Sequence, residues 1–553
     1  MALTASDLIL RFALQNAIRY NGKASSSSII GKVIAADPSL RALGSELNKL
    51  ADDIVAEVNS MPIAEQRKRL EEIAPELLEE KKKIEVRKLP ELKNVAGKVV
   101  MRFAPNPNGP LSLGHARPAL LNWFYVEQYK GKYILRYDDT DPGKVKPPVK
   151  EAYGWILDDL KWLGVKPAVI VKASRRLNVY YKYAEKLIKI GKAYVCSCEA
   201  ELKSKLLMQG KGCLCRDFPP DEQMKRWKKM LSKSGYKERE AVLRIKTNLA
   251  DKNPAVRDWV AFRIIDECKH PLKNAKVWPL LNFNSAIDDH DFKITHIVRG
   301  IDLAVSDDRQ KYVYEYLGWK YPETMYNGKL FVSGIRSTSE SDKMIKNGEL
   351  SGWDDPRLGT LMALRKRGFQ AEAIRKFIFE LGLNKGDINV SIDTLASHNK
   401  NVIEKKANRY FFVDNPIKIE IRDAPKIEAK LPLHPDDTKR GFRRFETNGS
   451  FYIKDSLILL RTYRLIGLFN FRNKKFLSKE YDEKMNANLI HWVPANDHIK
   501  AEVVMPDNTI VKGLIERNAE KIKVNDVVQL YRFGFCRLDK KEDNKLVFYY
   551  GHN

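Results

Sequence analysis

The 553-residue chain is 44% hydrophobic and carries a net charge of +27, from 98 Lys and Arg against 71 Asp and Glu. That is enough apolar material for three or more packed domains, and no apolar run is long enough to span a bilayer. The stretch Met1 to Phe12 lacks the basic, apolar and small-residue series of an export signal, so a cytoplasmic protein with no membrane partner is expected.

A soluble chain this basic is expected to meet a polyanion, with a generally basic solvated surface as the plainer alternative. The excess is spread along the chain: Lys225-Arg226-Trp227-Lys228-Lys229, Lys439-Arg440-Gly441-Phe442-Arg443-Arg444 and Arg472-Asn473-Lys474-Lys475. Aromatics lie among these charges, which fits a broad footprint on folded RNA better than a single basic arm.

In chain order, residues 1–97 read as a helical, mostly polar module. Leu8, Phe12 and Ala13 recur at helical spacing, Gly22 to Ser28 reads as a turn, Glu65 to Glu85 is densely charged, and Pro90 and Gly97 mark a boundary. The pattern then alternates. Strands are predicted at Val99 to Phe103, Tyr133 to Tyr137 and Ala168 to Val171, with helices at Leu113 to Tyr129 and Val149 to Leu163. This alternation specifies an α/β fold with a parallel, doubly wound sheet. The pattern resumes at Ile294 to Val298 and Asp308 to Leu317, so the sheet's two halves are expected at 98–172 and 281–330, split by an insertion at 173–280. Two helical patterns follow between 357 and 382, within a segment taken as 331–408. From 409 to 553 short strands broken by Pro, Gly and Asn suggest β-barrels.

The first predicted strand ends in Arg102-Phe103-Ala104-Pro105-Asn106-Pro107-Asn108-Gly109-Pro110. Leu111-Ser112-Leu113-Gly114-His115-Ala116-Arg117 then opens a helix. A Gly-Pro loop leading into a helix N-terminus offers unpaired amides and a positive dipole end to an anion. Gly114 leaves room for a nucleotide against the backbone, and His115 can donate to phosphate oxygens. A core or capping histidine is the plainer reading of one His in that place.

The complete string resembles the signature loop of class I aminoacyl-tRNA synthetases in its glutamyl and glutaminyl form, with Ser112 where the first motif histidine usually stands. Lys132-Tyr133-Ile134-Leu135-Arg136-Tyr137-Asp138-Asp139-Thr140-Asp141-Pro142 and Gly352-Trp353-Asp354-Asp355-Pro356-Arg357-Leu358 are similar to strings of the same subfamily. Ser337-Thr338-Ser339-Glu340-Ser341 takes the place of the mobile loop that closes over ATP, with Glu340 where a lysine is usual; Arg336, Lys343 or Lys346 would then supply the charge. Ala13-Leu14-Gln15-Asn16-Ala17 and Leu431-Pro432-Leu433-His434-Pro435 resemble the appended N-terminal domain and the anticodon-reading barrel of the archaeal glutamyl branch.

The resemblance implies a glutamate–tRNA ligase using ATP and Mg²⁺. Ser112, Gly114, His115, Ser337, Thr338 and Ser339 would be the catalytic set, with Gly114, His115 and Lys343 at ATP. It places Arg102, Ala104, Asn106, Asp138, Ser285 and Arg299 around the amino acid. Arginine suits a carboxylate because its planar fork gives two parallel hydrogen bonds. Glutaminyl enzymes carry an uncharged residue at the position of Arg299, so Arg299 favours glutamate. Leu281 stands where relatives commonly have Tyr; either a neighbour such as Tyr137 replaces that hydroxyl or substrate binding is weakened. The implied partners are tRNA-Glu and, in the archaeal branch, tRNA-Gln together with a tRNA-dependent amidotransferase; a monomer is expected. The rival readings are a glutaminyl-tRNA synthetase and a catalytically weakened tRNA-binding relative.

Cys196-Ser197-Cys198 and Cys213-Leu214-Cys215 are separated by a short segment. Four thiolates suit a structural Zn²⁺; four reduced, packed cysteines are the alternative.

Overall fold

The computed structural model of the chain describes residues 4–19, 22–77, 89–143, 147–336 and 341–553. Met1–Arg87 and Lys88–Asn553 are separate compact units. No helix among the described residues is long and apolar enough to cross a membrane.

The first unit packs α1 (Ala5–Arg19), α2 (Ser26–Ala36), α3 (Gly44–Ser60) and α4 (Ile63–Ile73). Ile9, Leu14, Ile29, Val33, Leu47 and Val58 close its core. The fully buried Gln66 amide donates to the carbonyls of Gly22, Val58 and Met61 at 3.1, 2.8 and 3.1 Å, which braces the α3–α4 turn. Part of the charged run to Glu85 lies outside the described residues.

The first compact unit ends at Arg87, and the described residues from Leu89 on pack with the second unit. Leu89 and Leu92 are buried in the same core as Leu120 and Tyr125, and Tyr125 donates to the Pro90 carbonyl at 3.0 Å.

In the second unit β1 (Val100–Phe103), α5 (Leu113–Gln128), β2 (Lys132–Tyr137), α6 (Ala152–Trp162) and β3 (Val169–Lys172) follow the predicted alternation, and β1, β2 and β3 pair in parallel. The insertion comes next. It holds α7 (Leu177–Lys189), β4 (Ala193–Cys196), α8 (Ala200–Met208), α9 (Pro220–Leu231), β5 (Val242–Ile245), β6 (Val260–Ile264) and β7 (Val277–Pro279), with the four strands antiparallel. After α10 (Leu281–Asp291), β8 (His296–Gly300), α11 (Ala304–Leu317) and β9 (Glu323–Asn327) restore the parallel pattern. Thr295 ties β8 to β1: its N–H donates to the Val100 carbonyl at 2.9 Å, and its hydroxyl accepts the Val100 N–H at 3.0 Å. β1, β2 and β3 pair as one sheet and β8 and β9 as another, and the Thr295 contact sets them side by side in the order β3-β2-β1-β8-β9. The chain leaves β1 to one side and returns on the other, which opens a crevice at the carboxyl ends of β1 and β8.

The two sheet faces differ in chemistry. Met101, Phe103, Tyr133 and Leu135 pack with α5. The alternate positions Arg102 and Arg136 meet carboxylates of α10 on the other face, as the two-residue period of a strand requires.

β10 (Leu330–Ser333), α12 (Ser341–Lys346), α13 (Leu361–Lys366), α14 (Ala371–Leu381), β11 (Ile388–Ser391) and α15 (Ile392–Ile403) lead to the β-rich C-terminal part. There the strands surround two cores, one around Phe451, Phe469 and Trp492 and one around Phe412, Ile515 and Phe548. In the seven-stranded sheet the edge strands Arg409–Tyr410 and Phe412–Asp414 are adjacent in sequence, so the sheet curls back on itself.

Candidate active site

Ser112 caps α5. Its Oγ accepts the His115 N–H at 3.4 Å, and His115 Nδ1 accepts the Ser112 N–H at 3.2 Å, forming a capping box. The plainer reading of His115 as a capping residue is therefore realised, and it carries a chemical consequence. With Nδ1 accepting, the neutral ring bears its proton on Nε2, and the residue is exposed. Among the described residues, a side chain added at Gly114 would meet only the Ser112 hydroxyl, at 3.6 Å. This helix end thus combines open backbone, a dipole and an oriented imidazole donor.

The loop before it is pinned at several points. The Pro105 carbonyl accepts from Asp138 N–H at 2.9 Å and the Pro107 carbonyl from Val149 N–H at 2.8 Å. Buried Asp159 accepts the Leu111 N–H at 2.9 Å, and burial pushes its carboxyl up to about 7. Ala104 and Asn106 are half-buried along this loop.

Sequence reading did not foresee how the two motifs join. Leu113 N–H donates to the Gly359 carbonyl at 3.0 Å, and Leu361 N–H to the Leu111 carbonyl at 2.8 Å. Thr360 Oγ1 donates to the Trp353 carbonyl at 2.6 Å. Asp355 accepts from Ser351 and from Nε and Nη2 of Arg357, which holds it well below the usual carboxylate range against the effect of burial. Arg336 pairs with this segment through the Arg357 carbonyl at 2.9 Å, so the start of the Ser-rich loop is held beside α5. Ser337, Thr338, Ser339 and Glu340 lie outside the described residues. Of the cations expected to serve in place of a lysine at 340, Arg336 and Lys343 are exposed, and Lys346 pairs with Asp342 at 2.6 Å.

At the carboxyl ends of the strands the structure gathers Arg102, Asp138, Ser285 and Arg299. Arg102 gives both atoms of its fork to Asp289, at 2.9 Å each. Asp138 accepts from Arg136 at 3.0 Å; burial raises its carboxyl, and Arg136 and Arg102 pull in the opposite direction. Arg136, which sequence reading passed over, also reaches Asp288 at 2.6 Å and Asn284 at 2.9 Å. A charged residue within the buried run Ile134-Leu135-Arg136-Tyr137 was the available signal.

Arg299 is 4% exposed. Its Nη1 donates to Asp307 at 2.5 Å and to Gln310 at 3.3 Å. Tyr321 and Tyr326 also donate to Asp307. Gln310 donates to Ser285 Oγ at 2.5 Å, so Ser285 and Arg299 share one network. The other edge of the guanidinium is different: Nε is buried with no partner among the described residues. Anchoring Nη1 leaves the Nε edge as the position for an incoming acceptor.

Leu281 begins α10, where its carbonyl accepts from Ser285 Oγ at 2.5 Å. Tyr137 does not replace the missing hydroxyl. It is 2% exposed and donates to the Tyr153 carbonyl at 2.6 Å, with its ring tilted against the Tyr153 ring in the core.

In the insertion the sulfurs of Cys196, Cys198, Cys213 and Cys215 all lie within 4.8 Å of one another, with Cys196–Cys213 at 3.8 Å and Cys198–Cys215 at 3.7 Å. Zn–S bonds of about 2.3 Å in a tetrahedron put sulfurs about 3.8 Å apart. The donor set fits that ion. Burial raises Cys196 and Cys198; Cys215 is held down at about 7, because hydrogen bonds from Ser197 and Arg226 outweigh burial.

Residues 98–405 match the family described as tRNA synthetases class I (E and Q), catalytic domain. Residues 407–491 and 489–539 match anti-codon binding domains of the same group. The chain belongs to the class I aminoacyl-tRNA synthetases of the glutamyl and glutaminyl type. A glutamate–tRNA ligase of Pyrococcus furiosus is 49% identical over 571 residues, covering 99% of each chain. Those of Thermococcus kodakarensis and Methanococcus maripaludis are 47% and 42% identical, over 99% of this chain.

Proposed function

We propose that this chain is a glutamate–tRNA ligase that makes glutamyl-adenylate from L-glutamate and ATP and passes the glutamyl group to the terminal ribose of tRNA-Glu. The observation that carries the choice of amino acid is Arg299, anchored at Nη1 with its Nε edge open at the end of β8. A side-chain carboxylate gives that edge a charged acceptor, whereas a carboxamide offers one neutral oxygen and brings an N–H₂ donor toward a cation.

Asp138 is suited to hold the α-amine, and Arg102 and Ser285 to orient the substrate. Glutamate's α-carboxylate attacks the α-phosphorus and pyrophosphate leaves; the ribose hydroxyl then attacks the acyl carbon. The positive end of the α5 dipole and the His115 Nε2–H stabilise the charge that builds on phosphate oxygens. Ser337, Thr338, Ser339 and Lys343 belong to the loop suited to cover ATP. No side chain need form a covalent bond, so catalysis is positioning and charge stabilisation. Mg²⁺, when bound with ATP, supplies further charge neutralisation.

The four paired cysteines would hold one structural Zn²⁺. The archaeal-type reading extends charging to tRNA-Gln, alongside a tRNA-dependent amidotransferase, by a monomeric cytoplasmic enzyme.

Arg299→Cys tests the amino-acid reading. It should weaken glutamate use by roughly 2–5 kcal/mol and leave ATP use little changed. Equal kinetics for glutamate and glutamine in wild type and variant would remove Arg299 from the pocket.

A further inference from the structure

Lys203 on α8 is 1% exposed, in a place where lysine is rarely tolerated. A buried ammonium needs an anion beside it. The nearest carboxylate, Asp258, is 3.8 Å away, and its oxygens already accept from Tyr194 at 2.7 Å, Arg216 at 3.0 Å and Thr247 N–H at 2.9 Å. The closer contact is to sulfur: Lys203 Nζ donates to Cys213 Sγ at 3.4 Å, with its charge also over the Tyr194 ring at 5.5 Å. A second cation, Arg226 of α9, stands beside the cluster, where it donates to the Val195 carbonyl at 3.0 Å and to Ser197 Oγ at 3.4 Å. Four neutral thiols would leave Lys203 poorly compensated. Four thiolates around a divalent ion carry two negative charges, and Lys203 and Arg226 supply two positive ones.

We propose that Lys203 is a positioning residue of the cysteine centre, a buried cation that Asp258, shared with Arg216, compensates in part and that four thiolates on a metal ion compensate fully. This rests on the zinc reading and deepens it. The residue makes the metal-free insertion less stable and the metal-bound one more so, which biases the fold toward the loaded state.

Opposite signs in two measurements give the test. Lys203→Met keeps the length of the side chain and removes the charge. It should weaken zinc retention against a competing chelator at least tenfold, and raise the melting temperature of the zinc-stripped protein. Lys203→Arg should keep most of the zinc affinity. Cobalt(II) titration of the stripped proteins reads the same order through the thiolate charge-transfer band.

If wild type binds zinc and Lys203→Met binds it as tightly, the role of Lys203 is wrong and the zinc reading stands. If the zinc-stripped Lys203→Met protein melts lower than stripped wild type, Lys203 is structural packing and the proposal fails. If wild type takes up neither zinc nor cobalt, both readings fail.

Discussion

Gly109 lies against the indole of Trp353: a Cβ at Gly109 would stand 3.1 Å from Cη2 and 3.3 Å from Cζ2. One residue belongs to the loop after β1 and the other to the segment after the Ser-rich loop. The contact holds the two strings that carry the class I resemblance in register. Their backbones also pair through Leu111, Leu113, Gly359 and Leu361.

Gly109→Val should therefore part the two segments. Overpacking of this kind costs about 1–3 kcal/mol; if the strain falls on the ATP loop, kcat/KM for ATP should drop on the order of tenfold. Trp353→Ala in the same chain should recover part of that loss, because the clash partner is gone. Strictly additive losses in the double variant would show that the contact does not couple the motifs.

Asp159 gives a pH signature. Burial holds its carboxyl near 7, above the ordinary value of 3.8. A carboxyl raised in the folded state binds its proton more tightly there than when unfolded. Its stabilising contribution is complete below about pH 4 and is lost as pH rises through about 7. Asp159→Asn keeps an acceptor for the Leu111 N–H and removes the titration. The variant should gain stability over wild type between pH 5 and 8, by up to about 2–4 kcal/mol. Denaturant midpoints measured across that range check this, and parallel curves for the two proteins would contradict it.

The cysteine centre predicts about one zinc per chain. Cys196→Ser or Cys213→Ser should lower metal content and melting temperature together, since structural zinc contributes folding energy. Metal analysis of active protein never exposed to chelator checks the first point. No zinc in such protein would leave four reduced cysteines as the correct account and would not touch the assignment of the enzyme.

What could be read from the sequence follows physical range. Periodicity placed β1, β2 and β3 and their helices within three residues, because each buries one face or one stripe against the same core. The packing of Leu89 and Leu92 was not legible because they are short apolar points in a polar stretch, and their partners on α5 lie far along the chain. Arg102, Asp138, Ser285 and Arg299 could be named from motifs. Their partners Asp289, Arg136, Gln310 and Asp307 could not, since a buried ion pair leaves no periodic trace. Asp288 and Asp289 on fully buried turns of α10 were the one available hint: carboxylates there require cations across the interface. Ser112 looked like a departure from the motif. The structure gives it a definite role as the residue that caps α5 and orients His115.

The breadth of tRNA choice depends on the C-terminal barrel. If the archaeal-type reading holds, pure tRNA-Glu and tRNA-Gln transcripts should both accept labelled glutamate. Charging of tRNA-Glu alone would show a barrel that reads the third anticodon base by its hydrogen-bonding edge, and the amidotransferase link would lose its basis.

The most direct test of the central claim is a charging assay with the purified full chain, tRNA-Glu, ATP and Mg²⁺, offered labelled glutamate or labelled glutamine. The account predicts alkali-labile glutamyl-tRNA, no glutaminyl-tRNA above background, and loss of the preference in Arg299→Cys. Efficient charging with glutamine, or tRNA binding with no charging by either amino acid, would contradict it.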